Sequence, residues 1–142
     1  TLHNMAQIGV GVSAISDFGD SYWQNPKELD QYMEETANNK LIPRRGLLLE
    51  KEDQLRRKVI ETLMCHGEIT IQDFEFLYEL DFRQHFAEAW TQLEKFEEEG
   101  LVKLSPAKIE LTPLGMLFTR NLAMPFDRHL KAGGAQNFSN TV

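Results

Sequence analysis

The side chains of this sequence that could do chemistry are a thiol beside an imidazole, an arginine pair, and two aromatic residues in a polar stretch. Cys65-His66 is the thiol–imidazole pair. Neighbours on a helix point about 100° apart, and no second Cys or paired His follows at metal-ligand spacing. A buried thiol beside a helix-end histidine is the expected arrangement. His3, His85 and His129 are scattered and suggest no catalytic triad. Arg44-Arg45 precedes the apolar run Leu47-Leu48-Leu49. A guanidinium there can clamp a carboxylate through two parallel hydrogen bonds, and a surface ion pair is the competing use. Tyr22-Trp23 lies between Gly19 and Asn25, a loop-like stretch whose aromatic side chains could face a ligand. Glu97-Glu98-Glu99 ends a helix, where the macrodipole disfavours negative charge, so a solvated, solubilising end is expected.

These groups need elements to hold them. In Ile8 to Ser16, Ile8, Val10, Val12 and Ala14 alternate with Gly9, Gly11 and Ser13. That pattern predicts a strand whose backbone is closely approached. No sheet is evident elsewhere to partner it, which suggests the C-terminal piece of a longer protein. Its first 25 residues would then be disordered, folded back, or paired with a second copy through the open edge. Asn25-Pro26 fits N-cap and first helical position, with Glu28 completing a capping box, for a helix to about Asn38. The connector Pro43 to Leu49 marks the domain boundary.

Beyond it, Leu55, Val59, Ile60, Leu63 and Met64 give an amphipathic helix ending near Gly67. Glu68-Ile69-Thr70 is extended, and Thr70 caps a helix turning Phe74, Leu77 and Tyr78 inward. Asp81 caps a third helix with Phe82, Phe86, Trp90, Leu93 and Phe96 on one face, and Gly100 ends it. Leu101–Leu104 and Ile109–Leu111 form a hairpin around Ser105 to Lys108. Thr112-Pro113 opens a last helix through Leu117, Phe118 and Leu122. The fold class expected is mainly α with a small β component. Its domains are 1–42, a winged-helix-like domain over 43–131, and a flexible tail over 132–142.

The 142 residues suffice for a substantial core. No apolar run approaches the ~20 residues of a membrane span, and no signal-peptide pattern is visible. A lone cysteine fits a reducing cytoplasm. The net charge of −7 argues against nucleic-acid and anionic-membrane partners. Residues 81–100, the helix a winged-helix protein would lay on DNA, hold six acids and two bases. That surface repels phosphate.

The run Gly9-Val10-Gly11-Val12-Ser13-Ala14-Ile15-Ser16, followed by Gly19-Asp20, Tyr22, Gln24-Asn25 and Lys27-Glu28-Leu29, resembles the last barrel strand and loop of the oxygen-independent coproporphyrinogen III oxidases. The resemblance continues through Arg45-Gly46, Arg56-Arg57, Gly100-Leu101-Val102, Leu111 to Gly115, Arg120-Asn121, Phe126-Asp127 and Phe138-Ser139. It implies a radical S-adenosylmethionine enzyme of haem synthesis that decarboxylates two propionates of coproporphyrinogen III to vinyls. It implies S-adenosylmethionine and a 4Fe-4S cluster on a three-cysteine motif, neither bound by this piece alone, which would be inactive. Residues 1–42 would end the missing α/β barrel, and the following domain would cover its mouth. Ile15 matches a position that contacts S-adenosylmethionine. Tyr22, Trp23 and Arg45 become candidate substrate contacts, since the substrate carries propionates. The implied partners are the chain's own N-terminal barrel and the porphyrinogen, in a monomeric cytoplasmic enzyme. The competing readings are a non-enzymatic haem-handling or regulatory module and a DNA-binding winged helix.

Overall fold

The computed structural model describes residues 6–40 and 45–130. His3, Pro43-Arg44, the closing Phe138-Ser139 and the expected tail over 132–142 lie outside the described residues. The chain divides into two compact units, 1–54 and 55–142. It is mixed, with short helices and two small antiparallel sheets. No helix among the described residues is long and apolar enough to cross a membrane.

The first unit is built on a three-stranded sheet of β1 (Ile15–Asp17), β2 (Ser21–Gln24) and β3 (Arg45–Leu48), in that order. The strand expected over 8–16 therefore begins only at Ile15, and the loop expected at 19–25 is itself a strand. Gly11 at φ +113 and Ser13 at φ +58 take backbone conformations that no strand can use. The sheet partners judged missing come from the chain itself. Between β1 and β2 the chain turns through Gly19 at φ +90, whose N–H donates to Asp17 Oδ1 at 2.9 Å. Helix α1 (Leu29–Ala37) starts later than the capping box predicted, with Glu28 at its N-cap and no side-chain cap. The helix begins four residues past Asn25, whose side-chain amide instead donates to the Gly9 and Gly11 carbonyls.

In the second unit, α2 (Lys51–His66) crosses the division and buries Leu55, Val59 and Leu63, one turn apart. Cys65 lies about 200° round the helix from Leu63, so it is exposed rather than buried, and Met64 is largely exposed. Strand β4 (Glu68–Thr70) leads into α3 (Ile71–Tyr78), which buries Ile71 and Phe74. Leu77 falls about 60° outside that arc and faces out. Burial pushes the Tyr78 phenol above its usual 10.0, and its ring stacks on Phe74. Thr70 precedes α3 without a side-chain cap, whereas Asp81 accepts from the Gln84 N–H at 2.8 Å as expected.

The helix expected from Asp81 to Gly100 is two, α4 (Phe82–His85) and α5 (Ala87–Glu98), broken at Phe86 with φ −105° and ψ 32°. The break seats the Phe86 ring 4.8 Å from Phe82 and 5.4 Å from Phe126. Arg56 stacks over the same ring at 5.2 Å and donates to the Phe126 carbonyl at 3.1 Å. Gly100, at φ +74, closes α5 with its N–H on Glu97 O and that of Leu101 on Phe96 O, a Schellman end. Strands β5 (Val102–Leu104) and β6 (Lys108–Leu111) join β4 in the order β4-β6-β5, with Ile69 opposite Ile109 in the core. One acid of the 97–99 run ties α5 to this sheet, since Glu97 Oε1 accepts the Leu104 N–H at 2.6 Å. After Thr112 come two 3-10 turns around the short helix α6 (Thr119–Ala123). Leu117 and Phe118 are exposed, while Leu122 is fully buried.

Candidate functional site

Directly opposed residues of antiparallel strands share a face, so the pairing of β1, β2 and β3 assigns each candidate a side. Ile15 pairs with Gln24, and Gln24 pairs with Arg45. The three form one row across the sheet. Strands lie about 4.8 Å apart, so Ile15 and Arg45 stand roughly 10 Å apart with Gln24 between. The next row on that face is Asp17, Tyr22 and Leu47. Ile15 is 54% exposed, Leu47 and Arg45 are exposed, and Tyr22 is half-buried. The face is open and mixed: Ile15 and Leu47 are apolar, Gln24 and Tyr22 are polar, and Asp17 and Arg45 carry opposite charges.

Trp23 belongs to the opposite face, in a row with Ser16 and Gly46. Its indole N–H donates to Ser21 Oγ at 3.2 Å, and its ring lies against Gly46. A Cβ at position 46 would come within 2.9 Å of the Trp23 ring. Ser16 and Ser21 are buried on this side. Three of the four predicted residues, Ile15, Tyr22 and Arg45, thus come together, and Trp23 does not join them.

Ile15 fits an adenine or ribose face, since it offers an open apolar side chain with no polar demand. A metal cluster does not fit here: the described residues contain no group of three His, Cys, Asp or Glu able to hold one. Two further residues shape the site, Gln24 and Asn25. Gln24 Nε2 donates to Ser13 O at 3.1 Å. The buried Asn25 amide donates to Gly9 O at 3.2 Å and Gly11 O at 2.9 Å. The Asn-Pro pair signalled a helix cap instead, and only the glycine carbonyls upstream could have signalled otherwise.

Residues 49–118 match the HemN C-terminal domain. The oxygen-independent coproporphyrinogen III oxidase of Pseudomonas aeruginosa is 42% identical over 135 residues, covering 95% of this chain and 29% of that protein. The Helicobacter pylori protein of the same name is 36% identical over the same shares. Among solved structures, coproporphyrinogen III oxidase (HemN) from Escherichia coli, described as a radical SAM enzyme, matches with a TM-score of 0.84 and 36% identity. That match covers 89% of this chain and 29% of the other. The chain therefore spans less than a third of the length of these relatives.

Proposed function

Because this chain belongs with the C-terminal part of the oxygen-independent coproporphyrinogen III oxidases, we propose that it completes such an enzyme. Residues 1–42 supply the end of the barrel, and residues 43–131 form a winged-helix-like domain that covers the barrel mouth. The reaction of the whole enzyme is the oxidative decarboxylation of coproporphyrinogen III to protoporphyrinogen IX. S-adenosylmethionine, when bound beside a 4Fe-4S cluster, supplies the 5'-deoxyadenosyl radical that takes a hydrogen from each reacting propionate. A single Cys65 cannot ligate that cluster, so the ligands come from the rest of the enzyme and this chain is inactive alone.

The observation that carries the reading is the shared open face of Ile15, Tyr22 and Arg45. Ile15 packs its methyl groups on the cofactor. Arg45, in the same row, takes a substrate propionate through a bidentate contact. Tyr22, half-buried one row away on the same face, is a further substrate contact. Trp23 covers Gly46 and so fixes the strand that carries Arg45. Covering the mouth excludes water and stray hydrogen donors from a radical reaction. The six acids and two bases of residues 81–100 favour packing on the barrel over docking on a duplex. The enzyme works as a cytoplasmic monomer.

The test is an anaerobic assay of the full-length protein with coproporphyrinogen III, S-adenosylmethionine and a reductant. Formation of protoporphyrinogen IX with release of 5'-deoxyadenosine is expected. Iron-loaded protein that binds S-adenosylmethionine and produces neither would move the reading to a non-enzymatic haem-handling module.

A further inference from the structure

The loop over 9–14 is fixed by side chains that come from outside it. Its own apolar groups do little of that work, since Val10 is 85% and Val12 is 37% exposed. Asn25 is buried to within 4%, and its Nδ2 holds the carbonyls of Gly9 and Gly11 together. Tyr32 Oη accepts the Gly11 N–H at 3.0 Å, and Ser16 Oγ accepts that of Gly9 at 3.1 Å. Backbone bonds close the ring: Ser13 N–H donates to Pro26 O at 2.7 Å, and Asn25 N–H donates to Ala14 O at 2.9 Å. Gly9 in turn sits flat on the peptide of Ile15. A Cβ at position 9 would come within 2.6 Å of Ile15 O and 2.9 Å of Ile15 N. The chain of contact runs from the Asn25 amide to the Gly9 carbonyl and from the Gly9 backbone to the Ile15 peptide.

We propose that Asn25 is a positioning residue, which holds the 9–14 loop against the Ile15 peptide and so sets where the Ile15 side chain meets S-adenosylmethionine. The proposal rests on the reading of Ile15 as a cofactor contact. A buried amide with two carbonyl acceptors loses both bonds on truncation; the Gly9 carbonyl loses that donor, and the Gly11 carbonyl keeps only the long Ala14 N–H bond at 3.3 Å. The loop should then open, with Ile15 losing the backbone packed against it.

The test is a double-mutant cycle in the full-length protein, read by equilibrium binding of S-adenosylmethionine and by amide exchange. Asn25→Ala is expected to weaken binding about tenfold and to speed exchange across residues 9–14, while on an Ile15→Ala background it costs less than about twofold. Equal losses in both backgrounds would overturn the proposal, because Asn25 would then act without Ile15. Unchanged affinity of the single variant Ile15→Ala would instead overturn the cofactor reading of Ile15, and the role of Asn25 with it. Should Asn25→Ala fail to fold, Gly9→Ala drives a methyl into the Ile15 carbonyl with Asn25 intact. It must give the same non-additive loss, and full affinity there contradicts the proposal.

Discussion

Arg45 illustrates what a single residue of this chain can and cannot announce. Its position before an apolar run suggested a carboxylate clamp, but only the pairing register puts it in one row with Gln24 and Ile15. If it takes a substrate propionate equally in the ground and transition states, Arg45→Ala in the full-length enzyme raises KM for coproporphyrinogen III about tenfold with kcat little changed. A fall in kcat at constant KM would remove Arg45 from ground-state binding. Trp23 was less legible. A tryptophan next to a tyrosine in a polar stretch looks ligand-facing, yet strand alternation turns the two to opposite sides. Asn25 was legible in type and not in use, because Asn-Pro before a helix satisfies the rules for a cap. The acceptors that hold it are 14 and 16 residues upstream. Glu97 was also opaque, since its partner is the edge N–H of Leu104, seven residues on.

At the scale of elements, the second unit was more readable than the first, where the helix α1 was located but the strands were not. Strong apolar periodicity located α2, α3 and α5, and the hairpin of β5 and β6 was bounded by a turn of the usual composition. Alternation over 8–16 misled because its apolar members stay largely exposed here, so they say nothing of a strand's buried face. Apolar residues that remain outside, Leu77, Leu117 and Phe118 among them, are indistinguishable from core by spacing alone. The run Leu111 to Gly115 has a physical reason that only the fold reveals. Thr112 Oγ1 accepts the Gly115 N–H at 3.0 Å and donates to Gly100 O at 2.8 Å. A Cβ on Gly115 would strike the Leu101 carbonyl. Backbone cannot yield as a flexible side chain can, so Gly115→Ala should destabilise the chain by about 2–3 kcal/mol. Urea unfolding should give a lower midpoint at an unchanged slope. A midpoint equal to that of the parent chain would show that the 3-10 turn can shift at little cost.

For the molecule as a whole, charge and length bear most on function. The net charge of −7 gives the chain a long-range field that repels phosphate. It spans 29% of the length of its Pseudomonas relative, so its chemistry is to be tested in the full-length enzyme. The central claim is that the open face of β1 meets S-adenosylmethionine through Ile15. The most direct measurement is turnover of coproporphyrinogen III by full-length Ile15→Asp, alongside its iron content. A carboxylate pressed on an apolar cofactor face loses hydration without gaining a partner. Turnover should fall at least about tenfold, or about 1.4 kcal/mol in the barrier, with iron content equal to that of the parent enzyme. Turnover within about twofold of the parent at saturating and at limiting S-adenosylmethionine would contradict the claim.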